Sequence, residues 1–327
     1  MPRTYVAINA VFLHKIMNYI DMHCDTLTFA SDKGLSLRKN NLQLDFERLR
    51  AAGCEAQCFA IFMQGGTREK FYEYAGFFRR EIYGSSDICA PVLCCADLEA
   101  ARSAGKLGCI LTAENIGFIS SSADIAGLYA AGVRMASLVW NDENALAYPN
   151  LKFRGGKPDF RSREECGLKP RGRDAAAALD NAGIIIDVSH LSDGGLSDLL
   201  RGRKKPLVAS HSNAFALHPV SRNLTDGQIR GIADCGGIAA INFCLDFSGG
   251  ENAMEGALLH VAHIIDVGGE DCAAIGSDFD GMLPQAGMES CEGMPVLLCR
   301  IAEKFGPRIA DKVARGNFER VLREVCG

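Results

Sequence analysis

RDAAAALDNAGIIIDVSH, residues 173–190, contains the unit from which the rest of the chain is built. Its Ala- and Leu-rich first half favours helix. Gly183 ends that helix, because glycine readily takes the left-handed conformation of a helix C-terminus. The run Ile184–Ser189 follows at once and is almost continuously apolar. Such runs are strands buried on both faces. His190 then stands at the C-terminal end of the strand.

The same unit recurs on both sides. Strand-length apolar runs lie at Tyr19–Thr26, Glu55–Met63, Leu107–Ala113, Val133–Trp140, Ile184–Ser189, Leu207–Ser210, Gly237–Phe243 and Ala273–Gly276. Between them are helical segments at Asp45–Ala52, Thr67–Tyr83, Asp124–Ala131, Arg173–Ala182, Thr225–Cys235 and Asn252–Val267, several stopped by glycine. Helix, glycine and buried strand form the αβ half of a βαβ unit. Eight units predict an α/β fold, a (β/α)8 TIM-type barrel with its site at the C-terminal mouth. An open doubly wound sheet is the alternative, weakened because no GxGxxG follows the first strand. Residues 141–172, rich in Gly, Pro and Arg, read as a long loop after the fourth strand, where barrel loops serve the active site.

Composition narrows the function. The 327 residues are 48% hydrophobic and 23% charged, with a net charge of −5 and no basic stripe. No nucleic-acid partner is expected. The fourteen cysteines include no CxxC pair, so a zinc ribbon is excluded. A chain of this length needs no disulfide framework, and a cytoplasmic location is expected. Val6–Leu13 is apolar but too short to span a membrane. Residues 1–16 read as a leader or an over-long start before a single domain, 17–327. No lipid-anchor signal stands at the C-terminus, so no membrane association is expected.

The polar residues at the strand ends carry the chemistry. His23 and Asp25 are two apart at the end of the first strand and share a face. Asp21 shares it one layer deeper, as support. Glu114 ends the third strand, His190 the fifth, His211 the sixth and Asp278 the eighth. A lone histidine at a strand end is usually structural, but this many strand ends supplying ligand-type groups to one mouth predict a metal site. Imidazole and carboxylate without thiolate favour zinc or a similar ion. Five ligands, His23, Asp25, Glu114, His190 and His211, are too many for one catalytic zinc. Two ions sharing Glu114 account for them. His14, His260 and His263 are left outside the site, as are Cys24, facing away, and the loop thiol Cys166; His218, in a loop, is left open.

The runs IDMHCDT, LTAEN, DVSHLS, SHSNAFALHPVSRNLTD, GGIAAINF, GSDFDG and GNFERVLREV, in this order from about residue 18 onward, resemble the membrane (renal) dipeptidase family of zinc peptidases. The resemblance implies a (β/α)8 barrel with two zinc ions that cleaves dipeptides, including those with a D-residue at the C-terminal position. It assigns His23 and Asp25 to one ion, His190 and His211 to the other, and Glu114 to both. It gives Arg222 the substrate carboxylate and Asp278 the proton transfer. A zinc-bridged hydroxide would attack the peptide carbonyl, with Asp278 as base and then acid. Family members of the mammalian kind have a histidine after the fourth strand, where this chain has Trp140. Trp140 is expected either to pack at the rim or to line the substrate pocket. Cys244 follows NF where several relatives have an aromatic residue. Relatives are often dimers, so a homodimer is expected. Two other classes are weighed: a binuclear amidohydrolase acting on a cyclic amide, β-lactam or N-acyl amino acid, and a non-catalytic barrel. The HxH and bridging lysine of the first are absent. The intact ligand set argues against the second.

Overall fold

Gly183 takes φ 74° at the end of the helix Pro170–Ala182, and the chain turns directly into a strand. The computed structural model, which describes residues 17–327, repeats this geometry around a barrel. The expectation for residues 1–16 lies outside the described residues. The strands are β1 (Tyr19–Asp21), β2 (Cys54–Phe62), β3 (Cys89–Pro91), β4 (Leu107–Glu114), β5 (Val133–Ser137), β6 (Leu151–Arg154), β7 (Lys157–Arg163), β8 (Ile185–Asp187), β9 (Leu207–Ala209), β10 (Ile238–Ile241) and β11 (Ala273–Ile275). Eight of them run parallel in the order β1-β2-β4-β5-β8-β9-β10-β11. The ring closes where Met22 N–H donates to the Ile275 carbonyl at 2.9 Å and Cys24 bridges Phe279. All eight apolar runs of the sequence are these strands, and the (β/α)8 expectation holds.

The helix starts follow local chemistry. Asp45 and Thr67 cap their helices through side chains that accept from Arg48 and Lys70 N–H. Thr225 and Gln228 form a reciprocal capping box, which satisfies donors that a helix start leaves unpaired. Residues 141–172 are not all loop: β6 and β7 pair as an antiparallel hairpin across Gly155 and Gly156, at φ 57° and 76°. A two-residue turn with both residues at positive φ suits the twist of a hairpin. Most of its side chains face solvent, so the apolar pattern of the barrel strands is missing.

The core has two layers. Ile20, Met22, Ile110, Met135, Ile185, Val208 and Ile238 fill the barrel interior, and Phe318, Val321 and Leu322 of the helix Asn317–Cys326 pack against them. That helix sits at the barrel floor, where Asn317 Nδ2 donates to the carbonyl of Ala273, the first residue of β11. The outer layer packs the barrel against its helices, from Phe46 and Phe59 to Leu297 and Ile301. A filled, closed floor leaves the opposite end of the strands as the place for a cleft. All fourteen cysteines are free thiols. No helix among the described residues is long and apolar enough to cross a membrane.

Candidate metal centre

Four non-glycine residues among those described have positive φ: Asn115 (67°), His190 (68°), Asp278 (63°) and Asp280 (65°). All lie at C-terminal strand ends. That conformation is sparsely populated outside glycine and clusters at functional sites. Here it turns the chain sharply after β4, β8 and β11, and His190, Asp278 and Asp280 line the mouth.

A cleft of about 720 Å³ opens there, lined among others by Asp25, Glu114, His190, His211, Arg222 and Asp278. Glu114 lies at its centre. Its Oε2 is 3.5 Å from His23 Nε2, while its Oε1 is 3.0 Å from His190 Nε2 and 3.8 Å from His211 Nε2. The two oxygens thus face two different groups. His23 Nε2 is also 3.8 Å from Asp25 Oδ1 and 3.7 Å from Asp278 Oδ1. The combinations His23–Asp25–Glu114, Glu114–His190–His211 and His23–His211–Asp278 each bring their ligand atoms within 4.8 Å of one another. The structure therefore brings together all five residues that the sequence proposes as ligands. It adds that Asp278 also stands within ligand reach.

The donor set fits a cation. His23 Nε2 and Asp25 Oδ1 are buried without a hydrogen-bond partner, and Glu114 Oε1 faces His190 without hydrogen-bond geometry. Unpaired buried polar atoms are costly, and three carboxylates converge on this space. Burial, then the neighbouring Glu114 charge, pushes Asp25 well above the usual carboxylate range. Burial opposes charge on Glu114, yet His23 and His190 hold it well below that range. His23 is pushed up to about 10, because Glu114, Asp25 and Asp278 outweigh its burial. His190 is lowered to about 4, by burial first and then by the Arg222 guanidinium.

Residues behind the cluster fix it. Asp21 accepts from Ser277 Oγ at 2.6 Å and Ser277 N at 2.8 Å, tying β1 to the end of β11. Asp21 also accepts from the His23 N–H at 3.3 Å. Asn242 Nδ2 donates to Asp278 Oδ2 at 2.8 Å. Gly281 packs over both carboxylates: a Cβ there would lie 2.4 Å from Asp25 Oδ2 and 2.5 Å from Asp278 Oδ1. Sequence reading did not single out Asn242 or Gly281, although both lie in motifs it quoted. Asn141, 2.8 Å from His190 Nδ1, is a further contact that sequence reading did not find.

Arg222 is 2% exposed. Among the described residues it donates only to Ser212 Oγ at 3.4 Å and the His211 carbonyl at 3.2 Å, and its Nε has no partner there. No carboxylate lies within ion-pair distance among the described residues. Trp140 lines the cleft, edge-on to Phe62 with ring centroids 4.8 Å apart. Cys244 lines it as well. Cys24 points away, its Sγ donating to the Cys58 carbonyl at 3.4 Å, and Cys166 is an exposed thiol. His260 is buried away from the cleft, and His263 pairs with Asp226 at 2.8 Å.

The sequence model of the membrane dipeptidase family, peptidase family M19, matches residues 8–326. An uncharacterized dipeptidase of Schizosaccharomyces pombe is 33% identical over 284 residues, 80% of this chain and 66% of its own length. An uncharacterized protein of the pqqA 5′ region of Klebsiella pneumoniae is 33% identical over 241 residues, 71% of this chain and 88% of its own. Among solved structures, dipeptidase AC, a family M19 metallo peptidase, matches with TM-score 0.86 at 25% identity, over 96% of this chain and all of that one. A Rhodobacter sphaeroides metallo peptidase, liganded with a phosphinate mimic of L-Ala-D-Ala, shares the fold at TM-score 0.86 and 24% identity, over 95% of this chain and 100% of its own. The chain belongs to the membrane dipeptidase family, peptidase family M19. It is therefore a metallopeptidase of the dipeptidase class, not a scaffolding barrel.

Proposed function

We propose that the protein hydrolyses dipeptides at a centre of two divalent ions, zinc in the first instance, with Glu114 shared between them. His23 and Asp25 would hold one ion, and His190 and His211 the other. The observation that carries the reading is the division of the Glu114 oxygens between two ligand groups in the same cleft as Arg222, a buried guanidinium without a carboxylate partner. Divalent ions bound there would lower the pKa of water towards neutrality and polarise the scissile carbonyl.

The chain's own residues supply the rest. Arg222 presents a planar fork to the substrate's terminal carboxylate, which restricts substrates to very short peptides. Asp278 has one oxygen held by Asn242, which leaves Oδ1 on the ligand side to accept a proton and return it to the leaving amine. Trp140 forms part of the wall where the family resemblance leads one to expect histidine. An indole N–H can donate one hydrogen bond but cannot carry a proton. Acceptance of a D-residue at the C-terminal position belongs to this reading. It rests on the family resemblance, in keeping with the L-Ala-D-Ala mimic bound by the Rhodobacter relative. A cytoplasmic setting is supported by the fourteen free thiols, and a homodimer by the resemblance alone.

The test is a dipeptide panel, with L- and D-residues in the second position and free or amidated C-termini, run on zinc-restored protein with metal analysis. Two ions per chain and preference for free dipeptides are expected. One ion per fully active chain, or equal rates on amidated substrates, would remove the corresponding part of the proposal.

A further inference from the structure

His190 is gripped from two directions by the connection that follows β5. The Asn150 N–H donates to the His190 carbonyl at 2.7 Å, and Asn141 Oδ1 lies 2.8 Å from the ring Nδ1. An amide oxygen only accepts, so Nδ1 carries the proton and the Nε2 lone pair faces inward. That Nε2 stands 3.0 Å from His211 Nε2 and 3.0 Å from Glu114 Oε1.

The two imidazoles have different backing. His211 Nδ1 is 2.7 Å from Ser210 Oγ, which donates to Asp187 Oδ2 at 2.6 Å. A carboxylate therefore supports His211 through one hydroxyl, whereas a single neutral amide supports His190. The His23–Asp25–Glu114 side carries two carboxylates among its ligands. Of the three histidine positions, His190 depends most on one contact outside the ligand set.

We propose that Asn141 is the positioning residue of His190: it fixes the ring's tautomer and direction, and so sets the affinity of the protein for the second of its two divalent ions. The inference rests on the two-ion reading above. Asn141 is only half-buried, and the bond to His190 is its only side-chain hydrogen bond among the described residues. Its substitution is expected to leave the barrel folded.

Zinc titration of metal-stripped protein against a chromophoric chelator reads each ion's affinity without turnover. In Asn141→Leu the first ion should bind as in wild type and the second about 10–100-fold more weakly. Asn141→Asp keeps an acceptor on Nδ1 and should restore the second ion to at least wild-type affinity. Asn141→Ala removes the amide without added bulk and gives the same reading if Asn141→Leu folds poorly. Wild-type affinity for both ions in the Leu and Ala variants would overturn the inference. So would an Asp variant as weak as they are. A wild type that takes up fewer than two ions overturns the two-ion reading, and this inference with it, a result distinct from tight binding by the variants.

Discussion

Arg222 and Asp278 carry the sharpest predictions at the scale of single residues. Arg222 is buried with an unpartnered Nε and no carboxylate beside it, so a substrate carboxylate would complete a desolvated charge pair. Truncating one partner of such a pair costs about 2–5 kcal/mol. Arg222→Met should therefore keep its metal but lose about 30- to 5,000-fold in kcat/KM on free dipeptides. Amidated dipeptides should be poor substrates for wild type and variant alike, and a variant with unchanged kinetics would take Arg222 out of this role. Asp278→Asn should fold, keep two ions and lose about 10²–10⁴-fold in kcat. Because Asp278 also stands within ligand reach of His23 and His211, metal analysis of the same variant decides its part. Loss of an ion would make it a ligand, and turnover within threefold of wild type would leave it structural. The proposed ligands were legible from the sequence because each stands at the end of an apolar run. Asn141 and Asn242 were not, because an isolated asparagine has no periodicity and its partner lies far away along the chain.

At the scale of elements, the β6–β7 hairpin connects the surface to the site. Arg163, at its foot, pairs with Asp193 at 2.5 Å and donates to the Asn223 carbonyl at 2.8 Å, and Ser221 N–H donates to the Phe160 carbonyl at 2.6 Å. The hairpin thus holds both neighbours of Arg222. Arg163→Ala should cost about 1.5–3 kcal/mol of stability in a denaturant melt, as a hydrogen-bonded charge of this kind does. It should also raise KM several-fold while kcat and metal content stay near wild type. An unchanged KM would mean that the segment 221–223 is held without the hairpin. The barrel strands could be read from continuous apolar runs, and the helix ends from glycine. The hairpin escaped because its side chains are mostly exposed, although Gly155–Gly156 was a usable turn signal.

At the scale of the whole molecule, acid sensitivity has an identifiable contributor in His260. The ring is 1% exposed, accepts from Ala214 N–H at 3.1 Å and donates to the Ser248 carbonyl at 3.1 Å, which satisfies the neutral form. Burial lowers its pKa to about 4, against about 6.5 in an unfolded chain. The unfolded chain takes up the proton first as pH falls. This contribution is therefore complete above about pH 6.5 and is lost progressively towards pH 4, about 3 kcal/mol in all. Urea melts between pH 7.5 and 5 should show wild type losing stability faster than His260→Gln. Parallel pH dependences would remove His260 as the cause. The amino-acid order by itself determined the eight buried strands, their helical connections and the groups at the strand ends, because periodicity, glycine stops and residue type are local properties. Only the tertiary structure decided that the Glu114 oxygens face two different groups of side chains, that Arg222 has no carboxylate partner among the described residues, and that Asn141 reaches His190. Those facts depend on assembling the strands into one ring, which brings side chains distant in the chain into one mouth, from Asn141 and His190 at 49 residues to Ser277 and Asp21 at 256.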